Sequence, residues 1–146
     1  MQLHAVFLSG RIDSSACCPS ATSRDNQLYE QLLAGKNILV LEDQILIAME
    51  VEHSLLQMGA RSVVLACTAS EALEALENSI PDAAVLDINL GPSATSFPVA
   101  EALLKIGAPW VFATGYGNEI NLPPQLKCSA MVRKPYTCLL YTSRCV

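Results

Sequence analysis

Five short apolar runs, separated by segments of helical periodicity, constrain this chain more than any other feature. The runs are "NILVLED" from Asn37, "SVVLAC" from Ser62, "AAVLD" from Ala83, "WVFAT" from Trp110 and the shorter "SAMVRK" from Ser129. Runs of this length and β-branched content read as strands buried on both faces. Between the first two, "QILIAMEVEHSLLQMG" repeats Ile47, Val51, Leu55 and Met58 at spacings of three and four, and Gly59 ends it. "TASEALEALENS" places Thr68 and Glu71 at capping-box spacing, a helix start. "FPVAEALLKIG" has Pro98 in its first turn and Gly107 past its end. Before the fifth run, the two prolines of "NEINLPPQLK" allow at most a short helix. Strand and helix alternating through short connections predict an α/β architecture, a doubly wound parallel sheet of five strands.

Such a sheet needs a core, and the composition supplies one. Of 146 residues, 51% are hydrophobic and 16% charged, which suits one globular domain with some chain to spare. A net charge of −5 leaves no basic stripe to neutralise phosphates, so a nucleic-acid surface is not expected. No apolar run approaches the roughly 20 residues of a membrane span. The start "MQLHAVFLSGRID" lacks the basic segment of a signal peptide, so a cytoplasmic protein is expected. The six cysteines, Cys17, Cys18, Cys67, Cys128, Cys138 and Cys145, include no C-x-x-C pair, and read as free thiols rather than zinc ligands.

In a doubly wound sheet the ligand site lies outside the carboxyl ends of the strands. The first strand ends in Glu42 and Asp43, the third in Asp87, the fourth in Thr114 and the fifth in Lys134, which precedes Pro135. Three acids on one rim repel each other, and a hard divalent cation such as Mg²⁺ relieves that repulsion through oxygen ligands. A lysine and a hydroxyl beside it suit the oxygens of a transferring phosphoryl group. A carboxylate nucleophile would form an aspartyl phosphate. Singly, each residue has a plainer reading: Glu42 as a solvated strand end, Lys134 as a surface lysine, Thr114 as a loop hydroxyl. Asp82 reads as turn chemistry beside Pro81, His53 as a surface histidine, and Trp110 and Phe112 as packing.

Together, "LVLEDQ", "AVLDINL", "FATG" and "RKPY" resemble the receiver domain of two-component response regulators, from Lys36 to about Tyr136. The resemblance implies a flavodoxin-like fold with strand order 2-1-3-4-5. It also implies that Asp87 is the phosphoacceptor, that Asp43 ligates Mg²⁺ directly and that Glu42 acts through metal-bound water. Asn89 matches the position whose backbone carbonyl ligates the metal. Thr114 matches a hydroxyl that turns toward the phosphoryl oxygen, and Lys134 the lysine that pairs with it; the Lys134–Pro135 bond is cis in many receivers, which would fix the lysine's approach. The implied partners are a sensor histidine kinase and a downstream protein target, with no nucleic acid and no membrane. The expected chemistry is weak self-phosphorylation and dephosphorylation rather than enzymatic turnover. Met131 stands where many receivers carry an aromatic residue, and "FATGY" resembles the signature of a receiver subgroup. A short or mobile fourth helix, with Gly115 and Gly117 before it, would then provide the output.

Three alternatives stand beside this reading. A Mg²⁺-dependent phosphohydrolase with an aspartyl nucleophile commonly has a second acid where this chain has Asn89. A C-terminal receiver fragment of a hybrid histidine kinase would explain residues 1–35 as a linker, although they hold no kinase motif. A pseudo-receiver that only binds partners would not need the full set of acids, threonine and lysine. The expected organisation is a linker or short helix over 1–35, with "NQLYEQLLAG" as the helix, and a receiver over 36–137. Residues 138–146, "CLLYTSRCV", are what a transposon mosaic-end sequencing adapter would encode, and read as a non-native tail in place of a final helix. Without that helix, Ile45, Ile47, Val51 and Leu55 are expected to leave an apolar flank and promote self-association.

Overall fold

The computed structural model describes residues 33–115 and 121–134. The upstream helix of 26–35 (apart from its last residues), Tyr116, the Lys134–Pro135 bond and the 138–146 tail lie outside them. In chain order the elements are β1 (Asn37–Leu41), α1 (Ile45–Gln57), β2 (Ser62–Ala66), α2 (Ala69–Asn78), β3 (Ala83–Asp87), α3 (Phe97–Ile106), β4 (Trp110–Thr114) and β5 (Ala130–Arg133). The two-proline connection holds a single 3-10 turn, Pro124–Leu126. All five strands are parallel, in the order β2-β1-β3-β4-β5.

Strand alternation divides the core into two layers. Leu39, Leu41, Leu86 and Phe112 face one side, where α2, α3 and the 3-10 turn contribute Ala72, Leu103 and Leu126. Phe112 is fully buried and meets Phe97 and Trp110 edge-on, at centroid distances of 6.1 and 6.4 Å. Such pairs add about 0.5–1.5 kcal/mol each beyond area burial. Ile38, Val40, Val85, Val111 and Val132 face the other side, with Val51 and Leu55 of α1.

The helices begin for different reasons. In α2 the Thr68 hydroxyl accepts from the Glu71 N–H at 3.2 Å, and the Glu71 carboxylate accepts from the Cys67 N–H at 2.7 Å. This reciprocal box is the one the sequence predicts. The α1 start at Gln44 has no side-chain cap, so that helix depends on packing Ala48, Val51 and Leu55. α3 carries Pro98 in its first turn and ends at Gly107 in the left-handed conformation.

One expectation is corrected here. Val51 and Leu55 are buried against the β1 layer and form no exposed flank. The exposed apolar residues at the start of α1 are Ile45, Leu46 and Met49, and Ile47 is half-buried. The 3.6-residue period turns those three outward, whereas Ala48, Val51 and Leu55 turn inward. Asp82 also does more than shape a turn. Its carboxylate accepts from the Asn37 N–H at 2.8 Å, and its own N–H donates to the Asn37 carbonyl at 2.8 Å. No helix among the described residues is long and apolar enough to cross a membrane.

Candidate phosphoacceptor and metal site

The parallel register aligns the carboxyl ends of β1, β3, β4 and β5 on one rim. One carboxylate oxygen from each of Glu42, Asp43 and Asp87 lies within 4.8 Å of the other two. Asp43 is exposed, whereas Glu42 is 1% and Asp87 6% exposed. Glu42 is therefore not a solvated strand end. Its N–H donates to the Ala66 carbonyl at 3.1 Å, which continues the β1–β2 ladder, and one of its carboxylate oxygens accepts from the Gln44 N–H at 3.4 Å.

Lys134 is not a surface lysine either. Its ammonium donates to Glu42 Oε2 at 2.5 Å and to Asp87 Oδ2 at 2.7 Å. The Lys134 N–H donates to the Thr114 carbonyl at 2.8 Å, so the β4–β5 ladder fixes where the side chain starts. Thr114 enters the site through its main chain; among the described residues its hydroxyl makes no hydrogen bond to Asp87. Met131, three positions before Lys134, is exposed on the edge strand β5.

Burial pushes the Glu42 carboxyl above its usual range, and the Asp87 charge pushes in the same direction; the Lys134 ammonium opposes both. Burial alone would lower Lys134. Its hydrogen bonds and charge interactions with Asp87 and Glu42 outweigh that, and hold it above the usual lysine range. Seen from Lys134 the pair is favourable, and seen from Glu42 the site is costly. The two agree once the cost is assigned to desolvation of Glu42 rather than to the pair itself.

The donor set is all oxygen, and a cation, the Lys134 ammonium, is already seated against two of the three acids. This chemistry fits a hard divalent ion such as Mg²⁺, which uses few carboxylates and retains water. Asn89, two residues past Asp87, sits in a turn that the sequence did not predict. It forms an isolated antiparallel bridge with Thr95. The signal available for that turn was Gly91 within a run of small residues.

No protein-family model and no curated protein matches the chain. Solved structures do. A response regulator receiver domain (CheY-like) from Methylobacillus flagellatus is 20% identical over 70% of this chain and 88% of its own, with a TM-score of 0.60. The fold is that of the CheY-like response regulator receiver domains. The solution structure of SdrG from Sphingomonas melonis Fr1 is 35% identical over 75% of this chain and 92% of its own, with a TM-score of 0.58. The BeF3-activated conformation of SdrG from Pseudomonas melonis Fr1 is 32% identical over 77% and 98%, with a TM-score of 0.60. The chain belongs to the same family as SdrG.

Proposed function

We propose that the chain is a phosphoacceptor receiver in a two-component relay, with Asp87 taking a phosphoryl group from a histidine kinase. The observation that supports this most is the double ion pair of Lys134 with Glu42 and Asp87, beside Asp43, on the ligand-binding rim of the sheet.

In this reading an Asp87 carboxylate oxygen attacks the phosphorus of a phosphohistidine. The new O–P bond gives an acyl phosphate as the P–N bond breaks, and the imidazole leaves with the electron pair. Lys134 changes partner, releasing the Asp87 oxygen and pairing with a phosphoryl oxygen. Thr114, on the neighbouring strand end, turns its hydroxyl toward the same group. Glu42, Asp43, Asp87 and the Asn89 carbonyl would hold Mg²⁺, which supplies positive charge to the transferring group. In this reading the output surface is the β4–β5 edge, which carries Thr114 and the exposed Met131, and a protein target would bind there.

The test uses acetyl phosphate with Mg²⁺ and intact-mass detection. Wild type gains one phosphoryl group, sensitive to hydroxylamine; Asp87→Asn gains none. An Asp87→Asn variant labelled like wild type would sink the assignment.

A further inference from the structure

We propose that Gly91 is a positioning residue for the metal site: its backbone conformation closes a small hairpin that aims the Asn89 carbonyl. This rests on the reading of the acidic rim as a Mg²⁺ site.

Two main-chain hydrogen bonds define the hairpin. The Leu90 N–H donates to the Ala94 carbonyl at 2.9 Å, and the Ser96 N–H donates to the Ile88 carbonyl at 3.1 Å. These two bonds flank the Asn89–Thr95 bridge, so Asn89 and Thr95 form a non-hydrogen-bonded antiparallel pair. In such a pair each residue's own N–H and C=O point out of the ladder. The Ile88 N–H donates to the Ala113 carbonyl of β4 at 3.2 Å, so Ile88 directs its peptide groups toward β4 and the hairpin. The bridge geometry sends the Asn89 groups the opposite way, away from the Thr95 arm of the hairpin. β1, which carries Glu42 and Asp43 at its end, lies on the other side of β3 from β4. Among the described residues the hairpin thus leaves the Asn89 carbonyl without a main-chain hydrogen bond, turned from Thr95.

What closes the hairpin is Gly91, at φ +95°. An added Cβ there would meet no heavy atom within 4 Å, so a side chain is opposed only by the backbone conformation. That makes the position separable from packing. Gly107, at φ +72° with equally open space, ends α3 and serves as a matched control with the same kind of strain.

The experiment is calorimetric titration of the full chain with Mg²⁺ alone, without phosphoryl donor. Wild type, Gly91→Ala, Gly91→Asn, Gly107→Ala and Asp43→Asn are compared, with urea melts alongside. Gly91→Ala is expected to weaken Mg²⁺ affinity about tenfold, as changes in metal-site support do. Gly91→Asn, a side chain that tolerates positive φ, should recover most of the loss. Gly107→Ala should lower stability yet leave Mg²⁺ affinity unchanged. Gly91→Ala binding as tightly as wild type, or Gly107→Ala losing as much affinity, overturns the proposal. If Gly91→Ala does not fold in buffer, its Mg²⁺ affinity is measured in a stabilising osmolyte beside wild type and Gly107→Ala in the same osmolyte, with the same two outcomes. Absent Mg²⁺ binding by wild type, or an Asp43→Asn variant that binds unchanged, overturns the underlying site itself, a result distinct from failure at Gly91 alone.

Discussion

The two faces of the sheet are built to different standards. The face under α2 and α3 holds Phe112, four sheet and helix leucines and the 3-10 turn's Leu126, all fully buried. The face under α1 is aliphatic, with Leu33, Ile38, Val40, Leu55, Val85 and Val111 and no aromatic ring among its described residues. The helices mirror this. α2 begins with a reciprocal capping box, and α1 with none, although α1 starts two residues after Asp43. The difference teaches that edge-on aromatic contacts interlock one layer, while the layer under the helix nearest the acids packs aliphatic side chains alone.

Adjacent residues of β4 test this directly, since Val111 and Phe112 point to opposite faces. Phe112→Ala should cost about 3–5 kcal/mol, and Val111→Ala about 1.5–2.5 kcal/mol. Urea denaturation measures both, and equal costs would erase the contrast between the layers. Next in size is Lys134→Met, which leaves Glu42 and Asp87 facing each other. Breaking a fully buried pair costs about 3–5 kcal/mol, and the partial exposure of Lys134 reduces this to about 2–3 kcal/mol. The loss should be larger at neutral pH and should fade in acid as the Glu42 carboxyl, raised by burial, takes up a proton. A pH-independent loss would mean that Lys134 acts by packing rather than by charge.

A smaller effect of opposite sign is expected for Glu42→Gln. Because burial raises the Glu42 carboxyl, the folded state favours its protonated form. Stability from that preference is fully present below the unfolded-state range and is lost as pH rises through the folded-state value. A permanently neutral side chain should therefore raise the melting temperature at pH 7, and the gain should vanish near pH 4. A variant less stable than wild type at pH 7 would show that the Lys134 bond outweighs desolvation. The smallest change concerns the outer surface of α1: Leu46→Gln should alter stability by no more than about 0.5 kcal/mol. Sedimentation at rising concentration then reports whether Ile45, Leu46 and Met49 drive association; an unchanged sedimentation coefficient for wild type removes that patch as a contact surface.

Much of the fold was legible because its signals are local. "NILVL", "AAVLD" and "WVFAT" are continuous apolar runs that fit only strands with both faces covered, and Thr68 with Glu71 marks a helix start within four residues. The rim was legible because acids at strand ends fall on one side of any parallel sheet. What was not legible depends on distance along the chain. Nothing near Glu42 announces that it is buried, because its counter-ion, Lys134, is 92 residues away. The Asn89–Thr95 hairpin is composed of small polar residues that would suit many loops. Ile45 is exposed as expected, but the outward turn of Leu46 and Met49 was missed because an apolar residue reads the same whether or not anything covers it. The assignment of Val51 and Leu55 to an exposed flank failed for the complementary reason.

The clasp at the opposite end of the sheet has a consequence of its own. Asn37 and Asp82 exchange a backbone bond and a carboxylate bond, and the Ser62 hydroxyl donates to the Asn37 side chain at 2.8 Å. The bases of β1, β2 and β3 are thereby riveted together with neutral or singly charged groups, far from the crowded acids. The sheet behaves as a cantilever, clamped at its foot and loaded at its tip. Charge added at the tip is met first by what lies beside it, the loops of the rim and the uncapped start of α1.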